Sequence, residues 1–330
     1  MKKIFALLLS AALLVTLLAA CGGGNTTDTD TDTQEPAADS STTQVEEQEP
    51  DTGDASKDDP LNQDEIGEKE LLVVSFGTRY NDSRRETIGA IEKAMQAAFP
   101  DYSVRRAFTS QIIIDHVKDR DGVTIDNVEQ ALERAVNNGV KTLVVQPTHL
   151  MNGLEYEELT DELAKYSDSF EKIAIGDPLL TSDADFEAVM TAITDATKDA
   201  ADGKTAICFM GHGTTADSNS VYSKMQTLLT DKGFNDYYVG TVEATPSLDD
   251  VLAAVQKGSY EKVVLRPLMI VAGDHANNDM AGDEDDSWKS TFEKAGYTVD
   301  CQVEGLGQLE AIQQLFVEHA KAAVASAEAE

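Results

Sequence analysis

Apolar positions in this chain fall into two alternating patterns. Short, largely apolar runs occupy 71–76, 142–146 and 206–210, and 102–108 reads as extended. Between them, apolar residues recur every three or four places, as at Ile88, Ile91, Met95 and Ala98 within 87–98, or Phe186, Val189, Ile193 and Ala196 within 185–200. The runs predict strands buried on both faces, and the spaced positions predict amphipathic helices, including one over 126–138. Their alternation is the signature of helices covering a largely parallel sheet. The longest run opens at Val263 and reads VVLRPLMIVAGDHANNDM. It predicts a strand that stops at Gly273-Asp274-His275, followed by a polar, acidic loop to Asp286.

The ends of the chain follow other rules. Residues 1–21 carry two lysines, an apolar stretch over 4–18 and Leu18-Ala19-Ala20-Cys21, which reads as a bacterial export signal with a lipobox. Cys21 is then the lipidated first residue of the mature protein, and the chain is expected on the outer face of the cell membrane, held by lipid alone. Cleavage at an Ala-x-Ala site, giving free secretion, is the alternative. From 22 to about 67 large apolar residues are nearly absent and acids greatly outnumber the single lysine, so this stretch predicts a disordered acidic tether. The formal charge of −34 stays strongly negative when the tether is set aside, which argues against nucleic acid or an anionic membrane surface as a partner. Cys208 and Cys301 lie in apolar patterns and read as small core residues, with their pairing left open.

The remaining 68–330 divides into two similar halves, 68–200 and 201–330. Val74-Ser75-Phe76-Gly77-Thr78 is echoed by Phe209-Met210-Gly211-His212-Gly213-Thr214, each a strand delivering Gly-Thr into a loop. Lys141 to Pro147 is echoed by Lys262 to Pro267, a lysine leading an apolar strand to a proline. A duplication would set His149 and His275 at corresponding strand ends with a cleft between the halves.

Loops at the carboxyl ends of parallel strands form the ligand crevice of open α/β sheets. Three of the five histidines, His149, His212 and His275, stand just past predicted strands. Glu243 follows another short strand, and with His212 and His275 it completes a two-histidine, one-carboxylate set suited to cobalt, nickel, iron or zinc. Asp274 or Asp279 could hold one nitrogen of His275. No G-x-G-x-x-G, Walker loop or G-x-S-x-G is present, which disfavours nicotinamide enzymes and serine hydrolases. Six of the eight arginines lie between Arg79 and Arg120, an arrangement suited to a polycarboxylate ligand. Arg79 and Arg106 are the expected ligand contacts, while Arg84, Arg85 and Arg120 are expected to pair with the surplus acids.

Several ordered segments carry a family resemblance: Val73 to Thr78, Arg106 to Ser110, His149 to Glu157, Phe209 to Gly213, Pro267 to Met280 and Asp286 to Lys289. Together they resemble the class II anaerobic sirohydrochlorin cobaltochelatases, which insert Co2+ into sirohydrochlorin on the way to cobalamin. The resemblance implies two flavodoxin-like (Rossmann-like) α/β halves with the tetrapyrrole in the cleft. It implies His212, Glu243 and His275 as metal ligands, and Glu155 facing the site. His212 would serve as the principal base, Glu155 would help carry protons, and Thr78, Arg79 and Arg106 would contact substrate. Co2+ is the expected metal, with Fe2+ or Ni2+ also accepted, and no nucleotide cofactor is required. A homo-oligomer is a further expectation. The export signal keeps a second function in view, a non-catalytic surface lipoprotein that captures tetrapyrrole, haem or divalent metal for uptake.

Overall fold

The computed structural model describes residues 52–64 and 66–329. The signal peptide, Cys21 and most of the expected tether lie outside the described residues. Among those described, no helix is long and apolar enough to cross a membrane.

Among the described residues, eight strands form two parallel sheets of four. In the first, β1 (Lys69–Ser75), β2 (Ser103–Phe108), β3 (Thr142–Pro147) and β4 (Lys172–Ile175) lie in the order β2-β1-β3-β4. In the second, β5 (Thr205–Gly211), β6 (Tyr237–Thr241), β7 (Lys262–Pro267) and β8 (Thr298–Cys301) repeat it as β6-β5-β7-β8. Register repeats as well, since Val74 stands beside Pro147 as Met210 stands beside Pro267. The two expected α/β halves are therefore present and share one topology.

Alternation along the strands sorts the core. Leu72, Val74, Leu143 and Val145 pack beneath the helices Val128–Asn137 and Leu154–Ala164, and Cys208, Met210, Val263 and Leu265 beneath Leu248–Val255 and Trp288–Lys294. The opposite faces, with Leu71, Val73, Ile207 and Phe209, join one cluster that runs through both halves. Two helices make it continuous by changing sides. Asp183–Thr197 follows β4 but packs on Ser220–Asp231, where Thr197 Oγ1 meets the Tyr237 hydroxyl at 3.0 Å. Glu310–Ala329 follows β8 but lies on β3 and β4, and the Lys172 ammonium donates to the Ala327 carbonyl. The divisions expected at 200 and 201 thus follow the chain but not the packing.

Two further expectations change. Strand β7 ends at Pro267, well before His275, because Leu268 leaves the sheet after one last bond to the Met210 carbonyl. Leu268, Ile270 and Ala272 stay buried in a non-strand segment, so the apolar run continues where the strand does not. The tether also ends sooner than residue 67, since residues 52–64 fold against the first half and bury Leu61 in the core. Cys208 and Cys301 are free, on strands separated by β7, where each stands beside Leu265.

Arg106 corrects the sequence reading most sharply. Only 1% exposed, its guanidinium is held by Glu92 at 2.6 and 2.7 Å and by Asp58 at 2.7 and 3.0 Å. Burial disfavours this charge, but the two carboxylates outweigh it and raise the guanidinium above its ordinary pKa. No ligand can reach it, so Arg106 is a structural ion and not a substrate contact. Removing one partner from a buried pair strands the other charge. Glu92→Ala is therefore expected to cost about 3–5 kcal/mol in urea denaturation, and a loss below about 1 kcal/mol would contradict this assignment.

Candidate metal centre

His212 stands one residue past β5, in a turn that tolerates little else. A β-carbon on Gly211 would lie 2.1 Å from the Tyr222 ring, and Gly213 has φ +88° with Ala244 where its side chain would be. The Tyr222 hydroxyl accepts from the Gly213 amide at 3.3 Å. Asn219 accepts from the Thr214 amide at 3.0 Å and donates to the Thr245 carbonyl at 2.7 Å, tying the His212 loop to the Glu243 loop.

Glu243 is held by backbone pairing that outlasts the sheet. Beyond β5 and β6, the Val242 amide donates to the Gly211 carbonyl at 3.0 Å and the Glu243 amide to the His212 carbonyl at 2.9 Å. This brings Glu243 Oε1 within 3.9 Å of His212 Nε2. His275 arrives from the segment after β7, at the head of a short π-helix, Ala276–Met280. Its ring meets that of His212 edge to face, with centroids 4.6 Å apart.

The two imidazoles are oriented alike. His212 Nδ1–H donates to the Gly213 carbonyl at 2.8 Å, and His275 Nδ1–H donates to the Asp279 carboxylate at 2.8 Å. Because neither acceptor can donate, each ring keeps Nε2 unprotonated and available to a cation when neutral. One donor atom each from His212, Glu243 and His275 lies within 4.8 Å of the others, close enough to share one ion. Of the two aspartates considered for His275, Asp279 takes the ring nitrogen. Asp274 instead pairs with Arg79 of the other half.

The first half supplies the facing wall. Thr78 Oγ1 lies 3.3 Å from where a Gly273 side chain would begin, and the Ala272 amide donates to Ser83 Oγ at 3.0 Å. Glu155 opens the helix Leu154–Ala164, near Ser218 of the His212 loop, and its charge acts on Tyr222 and His149. Thr78, Arg79 and Glu155 therefore border the junction with the second half, whereas Arg106 does not. Arg84, Arg85 and Arg120 are paired with Asp58, Asp82 and Asp121, also as expected. A surface hollow of about 640 Å3 lined by Glu187, Thr191, Asp195 and Leu309 contains none of these residues.

Phe76 is the residue the site reading passed over. The shared register sets it in the position that His212 holds in the other half, and Ser110, whose amide reaches the Phe76 carbonyl at 3.3 Å, in the position of Glu243. Phe76 is 49% exposed, unusual for a large aromatic at a strand end. The echo between the two strand ends contained this signal, because it aligned Phe76 with His212.

His149 is not part of the metal cluster. Its residue surface is partly exposed, but both ring nitrogens are buried without a hydrogen-bond partner. Burial pushes its pKa down from 6.5 to about 4, against an opposing influence from Glu155. The unfolded chain therefore takes up a proton that the folded chain refuses, and stability falls as pH drops from 6.5 through about 4. Wild type minus His149→Gln stability is expected to shrink over that window in urea titrations at stepped pH. A constant difference would contradict it.

Comparison with known proteins identifies the family. The profile described as cobalt chelatase (CbiK) matches residues 69–325. The sirohydrochlorin cobaltochelatase of Salmonella typhimurium is 38% identical over 251 residues, covering 76% of this chain and 94% of that protein. The sirohydrochlorin cobaltochelatase CbiKC of Nitratidesulfovibrio vulgaris is 30% identical over 260 residues, covering 78% and 91%. Among solved structures, SirB from Bacillus subtilis with Fe3+ superposes with a TM-score of 0.57 over 80% of this chain and 98% of its own, at 15% identity, a likeness of fold. A match over most of the chain, together with these two relatives, shows that the chain belongs to the cobalt chelatase family.

Proposed function

We propose that this protein inserts Co2+ into sirohydrochlorin, releasing two protons. The observation that carries the reading is the convergence of His212, Glu243 and His275 on one small space at the carboxyl ends of the second sheet. Three protein ligands leave positions for the incoming macrocycle, whereas a closed four-ligand site would retain the ion. His275 and Glu243 hold the metal, and Asp279 fixes the His275 tautomer from behind. His212 binds the ion as it arrives and, once the ion passes to the macrocycle and frees Nε2, takes up the displaced pyrrole protons one at a time, which an imidazole can do near neutral pH. Glu155, across the junction, carries protons onward. Thr78 and Arg79 bind the substrate's peripheral carboxylates, and the exposed Phe76 ring packs on the macrocycle. The chemistry needs no nucleotide, and the ligand set also accepts Fe2+ or Ni2+.

We read the leader ending Leu18-Ala19-Ala20-Cys21 as an export signal, so that this chemistry takes place on the outer face of the cell membrane, held by a lipid on Cys21. It also favours a second reading, capture of tetrapyrrole or metal without turnover. Absorbance-monitored insertion of Co2+ into sirohydrochlorin by the chain from Gly22 separates the two. Turnover is expected, falling roughly 100-fold or more in His212→Ala with sirohydrochlorin binding retained. Tight binding without turnover in wild type would replace the enzyme with a capture protein, and undiminished turnover in His212→Ala would remove that residue from the mechanism.

A further inference from the structure

Residues 52–64 precede the family match, which begins at residue 69, and nothing in that match gives them a role. They are nevertheless built into the first half, behind the turn that carries Thr78 and Arg79. The Thr52 carbonyl accepts from the Asp82 amide at 2.9 Å, and the Gly53 carbonyl from Asn81 Nδ2 at 3.1 Å. The Leu61 carbonyl accepts from the Arg106 amide at 3.1 Å, and Leu61 keeps a left-handed φ of 48°, a conformation sustained only when its surroundings enforce it. Between these points the Asp58 carboxylate, 4% exposed, takes Arg84 Nε at 2.6 Å as well as both terminal nitrogens of Arg106.

Arg84 links this strap to the site. It is fully buried, and its remaining nitrogens donate to the Thr78 carbonyl at 3.0 Å and to Asn81 Oδ1 at 2.5 Å. Arg120 donates to the next carbonyl, that of Arg79, at 2.7 Å, and to the same Asn81 oxygen at 3.1 Å. The turn carrying Thr78 and Arg79 is thus suspended by its carbonyls from two guanidiniums, and the strap supplies the counter-charge of one and a backbone partner to the asparagine they share. Among the described residues Asp58 is the one carboxylate bonded to Arg84, and without it the guanidinium would be free to swing away from Thr78.

We propose that the strap 52–64 is a working part of the cleft, with Asp58 as a positioning residue that sets the Thr78–Arg79 turn through Arg84. The substrate side of this proposal rests on the tetrapyrrole reading above. The second-half ligands are built independently, so the strap governs how tightly the macrocycle is held and leaves the metal cluster alone.

The test compares the full chain with Asp58→Asn and Arg84→Met, the latter removing the charge that Asp58 balances. Each variant is expected to raise KM for sirohydrochlorin about tenfold with kcat and Co2+ affinity nearly unchanged, since misplacing a binding group weakens capture without removing the reacting groups. The double variant should be no worse than the more affected single one, as required if Asp58 acts through Arg84. Amide hydrogen exchange should rise over residues 78–81 and stay constant over 212–214. An unchanged KM and unchanged exchange in folded variants would overturn the proposal, as would loss of Co2+ binding in step with the rise in KM. If Asp58→Asn does not fold, Arg84→Met decides alone. If wild type neither binds nor metallates sirohydrochlorin, the tetrapyrrole reading fails, and the exchange data still decide whether the strap sets the turn.

Discussion

Two backbone hydrogen bonds beyond the last rung of the second sheet hold the centre together. Where β5 and β6 have ended, Val242 and Glu243 still donate to Gly211 and His212, at 3.0 and 2.9 Å. They convert the fixed spacing of a parallel pair into a fixed spacing between an imidazole and a carboxylate from distant parts of the chain. Backbone places them, so their side chains are spared that task and both remain about half exposed. A ligand set that must pass its ion to another molecule needs this kind of support, rigid in the main chain and open at the side chains.

The first sheet has the same extra rungs, with Thr109 and Ser110 donating to Ser75 and Phe76 at 2.9 and 3.3 Å. There the frame carries an aromatic ring and a hydroxyl in place of an imidazole and a carboxylate. The scaffold is repeated without its side chains, so that one half presents His212 and Glu243 where the other presents Phe76 and Ser110. The exchanged helices Asp183–Thr197 and Glu310–Ala329 bind the halves through a common core. At the rim, Arg79 meets Asp274, the neighbour of a proposed metal ligand. The strong negative charge of the chain favours cations around it, while buried arginines in the first half are neutralised one by one by acids.

Much of this was legible because strands buried on both faces leave continuous apolar runs, and their ends were marked by glycine, proline and histidine. Glu243 was legible for the same reason, as the acid just past Tyr237–Thr241. What escaped had long-range causes. The run after Val263 looked like one strand because burial, not pairing, dictates apolar character at Leu268, Ile270 and Ala272. Arg106 looked like a ligand contact because its partners, Glu92 and Asp58, lie 14 and 48 positions away. The strap looked like tether because its composition is that of one, and only Leu61 and the position of Asp58 beneath two guanidiniums distinguish it. Helix exchange left no local trace, since an amphipathic helix does not specify which sheet it covers.

The central claim is that one ion is shared by His212, Glu243 and His275. X-ray absorption on the Co2+-loaded protein tests it most directly, because imidazole rings leave a multiple-scattering signature that carboxylates and water do not. The account predicts two imidazoles and oxygen ligands in wild type, and one imidazole in each of His212→Ala and His275→Ala. A spectrum without imidazole, or one that either substitution leaves unchanged, would contradict it.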